Sequence, residues 1–199
     1  MTTTVLHLVR HASYDGLGEI LVGRTPIPIN ATGQSEAAAV AAVLADRQLA
    51  AVLSSPQLRA RQTAEAIASR QGQTVTIEPG LDEIDFGAWT GQSFAGLADD
   101  PAWCAFNSVR SLAPVPAGEP MLAAQARAVA TVQRLLSRFP GGEMAAVSHA
   151  DVIKSVLTFA LGMSLDLMHR ISLAPASRCV LSLEDGTPRI HAINLLPIC

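Results

Sequence analysis

Short apolar runs and helix-length segments alternate along this chain, and no other feature limits its fold so strongly. Thr4–Val9, written TVLHLV, is β-branched and apolar on both faces, the pattern of a central parallel strand covered by helices on either side. LAAVLSS from Leu49, QTVTIEP from Gln73 and EMAAVSH from Glu143 are further strand-like runs. Between them lie helical segments. TGQSEAAAVAAVLADRQ reads as a helix capped by Thr32. SSPQLRARQTAEAIASRQG carries the clearest boundaries, with Ser55 as N-cap, Pro56 at the first helical position and Gly72 closing it. Pro120–Phe139 is a long helix stopped by PGG, and DVIKSVLTFALG is another that ends at Gly162. SRCVLSLEDGTPRIHAIN reads as a hairpin with EDGT at its turn. The alternation predicts an α/β three-layer αβα sandwich, its sheet mostly parallel with an antiparallel edge strand.

One domain accounts for residues 1–199, with a lid-like insertion at about 86–120 that interrupts the rhythm and holds both tryptophans. Hydrophobic residues make up 49% and charged residues 16%, enough apolar material for a sizeable core. The formal net charge of -3 gives no support for bulk binding to nucleic acid or to an anionic membrane surface. No apolar run is long enough to span a bilayer, and the N-terminus lacks the basic region of a secretory signal. Cys104, Cys179 and Cys199 have no metal-like spacing and read as reduced thiols, so the expected location is cytoplasmic. No cluster suggests a metal, and no motif calls for a cofactor; a G-x-G-x-x-G after the first strand, which a dinucleotide fold would need, is absent.

Polar residues gather where the strands end. Arg10 and His11 follow the first strand, Ser54 and Ser55 the second with Arg59 just beyond, Asp82 and Glu83 the third, and Ser148 and His149 the fourth. Open α/β sheets bind ligands at the carboxyl ends of their strands. Each residue alone has a plain structural explanation; their joint placement does not. Two arginines offer planar forks for a dianion, two histidines a nucleophile and a charge-stabilising donor, and a carboxylic acid a proton for a leaving oxygen. The free N–H groups at the start of the second helix would add positive potential near Arg59. That set fits phosphoryl transfer through a histidine.

LVRHAS, SSPQLRARQTAE, LDEIDFGAWTG and VSHADVI, in this order, resemble the histidine phosphatase superfamily, branch 1, the phosphoglycerate mutase-like group. The resemblance implies His11 as nucleophile, forming a phosphohistidine. It implies Arg10 and Arg59 as the clamp on the phosphoryl oxygens, His149 completing that pocket, and Glu83 as general acid and then base. It further implies the phosphoglycerate mutase-like fold, a small phosphorylated substrate, and inorganic phosphate as product. His11 must be neutral to attack, which adjacent arginines favour, and burial beneath Phe86 and Trp89 would raise Glu83 toward neutrality.

The sequence departs from the family pattern at Ala12, Tyr14, Leu17 and Ala150. Leu17 stands where a phosphate-binding Asn is usual, and Ser13 or the amides around Gly16 and Gly18 are the candidate substitutes. Ala150 replaces a Gly whose amide would face the ligand, which is acceptable where φ stays negative. Arg24 and Thr25 are candidates for contact with the substrate beyond its phosphate. Trp89, Trp103 and Phe106 are candidates to line the lid or to pack it. His7 reads as structural, and Asp151 and Lys154 as decoration of the last helix. The leading function is a phosphomonoester hydrolase. A cofactor-dependent mutase and a non-catalytic phospholigand-binding module are the alternatives, and the assembly is compatible with a homodimer.

Overall fold

The computed structural model describes residues 3–184 and 187–197. Its strands are β1 (Thr4–Arg10), β2 (Leu49–Ser54), β3 (Val75–Ile77), β4 (Glu143–Ser148), β5 (Arg178–Glu184) and β6 (Thr187–Leu195). Its helices are α1 (Ala31–Leu44), α2 (Leu58–Gln71), α3 (Phe94–Leu97), α4 (Pro101–Ser108), α5 (Met121–Arg138) and α6 (Ala150–Ala160). The strands form one sheet in the order β3-β2-β4-β1-β5-β6. The first four strands in that order are parallel, and β5 and β6 continue the sheet as antiparallel neighbours. The hairpin turn expected at EDGT falls partly outside the described residues, as does Cys199; Cys104 is exposed and Cys179 buried, both as free thiols.

Strand alternation divides the core in two. Leu6 and Leu8 of β1 and Met144 and Ala146 of β4 join a cluster with Leu135 of α5 and Leu157 of α6. Val9, Ala145 and Val147 point the other way, against Val40 and Leu44 of α1 and Ala64 and Ile67 of α2. Both faces of the parallel strands are therefore apolar, as the unbroken hydrophobic runs require. Among the described residues no helix is long and apolar enough to cross a membrane.

Two helix starts differ from the sequence expectation. Asn30, not Thr32, caps α1, its side chain accepting from the Gly33 N–H. Asn is among the best N-cap residues, and the preceding Ile29 marks the end of the extended loop. Helix α2 begins at Leu58 rather than Pro56, with Gln57 extended at its N-cap position. The Ser55 hydroxyl accepts the Gln57 N–H at 3.2 Å, in the turn that leads into α2, and also meets His149 and Asp82. Gly72 closes α2 in the left-handed conformation, as expected.

In the insertion, Trp89, Trp103 and Phe106 pack on one another with ring centroids 5.2–5.9 Å apart. Trp89 and Phe106 are buried and, with Trp103 against them, extend the larger core cluster into the insertion; none of the three lines the cavity beside His11. His7 is structural: it is buried, with its Nε2 2.6 Å from Glu143 Oε1.

Candidate active site

The sheet register assembles the site. Arg10 pairs with Ser148 across β1 and β4, and Ser54 with Val147 across β2 and β4. The residues that follow, His11, His149 and Ser55, therefore leave one edge side by side, and neighbouring strands lie only about 4.8 Å apart. The His11 and His149 rings sit 5.1 Å apart, centroid to centroid. Glu83 arrives from six residues beyond β3, carried by a 3-10 turn at Pro79–Leu81. Gly80 lets that turn lie flat on α5; a Cβ there would fall 1.8 Å from Thr131 Oγ1.

Hydrogen bonds assign both tautomers. His11 Nδ1 is 2.9 Å from the Ala12 carbonyl, which can only accept, so Nδ1 carries the proton and Nε2 keeps its lone pair. Burial, then Arg59 and Arg10, hold His11 well below its ordinary pKa, and the ring is neutral at pH 7. Arg59 Nη2 donates to His149 Nδ1 at 3.1 Å. The proton of His149 therefore lies on Nε2, 2.8 Å from Ser55 Oγ, and Ser55 in turn donates to Asp82 Oδ1 at 3.3 Å. Burial first and Arg59 second keep His149 neutral as well.

Arg59 is fully buried, yet its side chain is held by backbone alone on one side, donating to the carbonyls of Gly23 at 2.7 Å and Thr25 at 3.2 Å. Arg10 donates to the Leu173 carbonyl at 2.6 Å. Among the described residues, the buried side-chain nitrogens and oxygens without a hydrogen-bond partner are the Nε atoms of Arg10 and Arg59. Leaving one such donor unmatched costs about 1–3 kcal/mol, so two of them, in the two arginines beside His11, mark a place for an anion.

Glu83 Oε2 lies 3.4 Å from His149 Nδ1 and 3.6 Å from Arg59 Nη2. Burial pushes its carboxyl up to about 7, against the attraction of Arg59. The backbone around Glu83 is clamped. Its carbonyl accepts from Arg24 Nε at 2.8 Å and from Arg127 Nη2 at 3.1 Å, and Glu119 bridges both guanidinium groups. Its N–H donates to Asp82 Oδ1 at 2.8 Å.

A cavity of about 190 Å³ opens over this floor, lined by Arg10, His11, Tyr14, Glu83, Ala150 and Asp151 among others. Larger hollows occur elsewhere, notably an apolar cleft between α5, α6 and the hairpin, whose lining carries no histidine and no carboxylate. Ala150 opens α6 with helical backbone, so the absent glycine costs nothing in strain. Leu17 lines the cavity wall.

Three residues expected to reach the substrate are occupied otherwise. The Ser13 hydroxyl donates to Glu36 at 2.9 Å, so it does not replace the missing Asn. Arg24 spends its guanidinium on Asp82, Asp85, Glu119 and the Glu83 carbonyl. Thr25 contributes its carbonyl to Arg59. Local carboxylates and carbonyls outcompete solvent for these groups, which then buttress the site.

Asp151, read from sequence as decoration, instead lines the cavity and pairs with Arg110 Nη1 at 2.5 Å and Lys154 at 3.6 Å. Arg127 and Glu119, which hold the Glu83 backbone, were likewise not singled out. A carboxylate two residues after His149, at a helix start on the ligand edge, is the signal that would have found Asp151. Among the described residues, no three or more His, Cys, Asp or Glu side chains gather closely enough to hold a metal ion.

Residues 6–196 match the family model of the histidine phosphatase superfamily, branch 1. The chain belongs to that superfamily. It is 37% identical over 150 residues to an uncharacterized protein of Mycobacterium tuberculosis, covering 73% of each. The mycobacterial glucosyl-3-phosphoglycerate phosphatase superposes with a TM-score of 0.88 at 26% identity, over 97% of this chain and 99% of that one. A phosphoserine phosphatase mutant of Entamoeba histolytica, solved with phosphoserine, superposes with a TM-score of 0.87 at 26% identity, over 96% of each. The histidine phosphatase fold, an αβα sandwich on a mostly parallel sheet, is thus shared along nearly the whole chain.

Proposed function

We propose that this histidine phosphatase superfamily member is a phosphomonoester hydrolase for a small metabolite, working through a phosphohistidine on His11. The observation that carries the reading is the pair of unpartnered, buried guanidinium N–H groups flanking a neutral His11 whose free lone pair is on Nε2. A phosphoryl group seated there would satisfy Arg10 and Arg59 with its oxygens. The free Nε–H of each guanidinium would donate a charge-assisted hydrogen bond to one of those oxygens.

In the first step His11 Nε2 attacks phosphorus while Glu83, protonated near pH 7, gives its proton to the departing oxygen. Arg10 and Arg59 balance the charge spread over the phosphoryl oxygens, and the Arg59–His149–Ser55–Asp82 chain holds that array without rearrangement. Glu83, now a carboxylate, takes a proton from water. The water oxygen attacks the phosphohistidine, the N–P bond breaks, and inorganic phosphate leaves. A residue with a pKa near the working pH suits both halves of that cycle. Residues 86–120 serve as a lid: Phe86 and Phe94 line the cavity, and Arg110 holds Asp151 at its rim.

Phosphate release from a panel of phosphorylated metabolites, with His11→Ala as the blank, tests the reading. Hydrolysis is expected with the native protein, along with an acid-labile, base-stable phosphoenzyme on brief mixing. Unchanged release by His11→Ala would overturn it. Recovery of an isomerised phosphoester in place of free phosphate would move the chain to the mutases.

A further inference from the structure

Phosphoryl oxygens gather charge as the group is transferred, and every donor already aimed at them lowers the barrier. The cavity lining offers few such donors. Arg10 belongs to the clamp, His11 attacks, Glu83 gives its proton to the leaving oxygen, and Asp151 is spent on Arg110 and Lys154. Among the described lining residues, Tyr14 carries the one remaining side-chain donor.

The Tyr14 ring is 7% exposed. It packs against both the nucleophile and the clamp, 5.5 Å from the His11 ring between centroids, with the Arg59 guanidinium carbon 5.5 Å from its own centroid. Among the described residues its hydroxyl meets no hydrogen-bond partner, and it is not one of the buried unpartnered atoms, so it opens on the cavity that the residue lines. Burial raises the phenol above its ordinary pKa against the pull of Arg59, which keeps the proton on the oxygen and the group a donor. The Leu17 N–H donates to the Tyr14 carbonyl at 3.3 Å, so the two residues end one tight turn and both reach the lining. Leu17 brings no side-chain donor to its end; Tyr14 brings one to the other.

Resting on the phosphomonoesterase reading, we propose that the Tyr14 hydroxyl donates to a phosphoryl oxygen during transfer to His11, as a further member of the clamp formed by Arg10 and Arg59.

Tyr14→Phe keeps the ring and removes only the hydroxyl. Losing one hydrogen bond to a charged oxygen should lower kcat/KM about 30-fold. The loss should agree within about threefold for an alkyl phosphate and p-nitrophenyl phosphate, because the phosphoryl oxygens are the same in both. The inhibition constant of inorganic phosphate, which has no leaving group, should rise about tenfold. Leu17→Asn added to Tyr14→Phe puts an amide at the other end of the turn and should recover about fivefold or more of the lost kcat/KM. A double variant no more active than Tyr14→Phe would assign the loss to packing and overturn the role. Unchanged turnover and phosphate inhibition in Tyr14→Phe would overturn it too and leave the phosphatase reading standing. So would a loss confined to the alkyl phosphate, which would place the hydroxyl on the leaving oxygen. A native protein that releases phosphate from neither substrate would overturn the phosphatase reading, and the role of Tyr14 with it.

Discussion

Replacing Glu83 by Gln is expected to stabilise the protein while impairing turnover, and the size of both effects follows from where the carboxyl sits. In the folded chain burial raises it from the ordinary 4.5 to about 7. Each pH unit of displacement is about 1.4 kcal/mol, so the rise corresponds to roughly 3 kcal/mol. Between pH 4.5 and about 7 the folded state retains a proton that the unfolded chain has released. The unfolding free energy of the native protein should therefore fall across that window and level off above it. Gln has nearly the same shape, cannot ionise, and can keep accepting the Ile84 N–H that Glu83 Oε1 accepts at 3.0 Å. Urea unfolding at pH 5 should find the two proteins alike; at pH 8 the variant should be more stable by up to ~3 kcal/mol. Hydrolysis of an alkyl phosphate by the same variant should drop by about 10²–10⁴, the usual worth of a positioned general acid. The decline in activity above pH 7 expected of the native protein should be absent from the variant. A stability difference that is the same at pH 5 and pH 8 would refute the buried, proton-holding Glu83 on which the mechanism depends.

Arg127→Gln removes one of the two guanidinium groups on the Glu83 carbonyl. Turnover of an alkyl phosphate should fall about tenfold, while p-nitrophenyl phosphate, whose leaving group needs no proton, should change by less than about threefold. An equal loss on both substrates would show that Arg127 does not act through the acid. Gly80→Ala places a methyl against Thr131 and should cost about 1–3 kcal/mol in chemical denaturation, with Thr131→Ala recovering part of it. Phe106→Ala empties the centre of the insertion's aromatic core and should lower stability by about 3–5 kcal/mol, read by thermal unfolding. A loss below 1 kcal/mol would mean the insertion packs independently of that ring.

Much of the site was legible because strand ends in a parallel sheet share an edge. Once TVLHLV and EMAAVS are read as neighbouring central strands, the residues after them must meet, and His11 and His149 do. Helix α2 shows where the reading stopped. Ser-Pro before a helical run has the composition of an N-cap and first turn, yet Ser55 is engaged by His149 and Asp82, residues distant in the chain. Local propensity gives way when a side chain has a better partner through space. Arg24 shows the same limit: nothing in its loop sequence foretells the carboxylates of Asp82, Asp85 and Glu119 around its guanidinium.

Sequence alone determined the layers, the order of strands and helices, and which side chains would meet at the ligand edge, because periodicity and motif spacing are properties of neighbours along the chain. Tertiary structure decided the protonation states, the clamp on Glu83 and the pairing of Arg24, Arg110 and Lys154 near the mouth. Burial and charge pairing depend on atoms brought close from remote segments, and no local pattern encodes a distance between them.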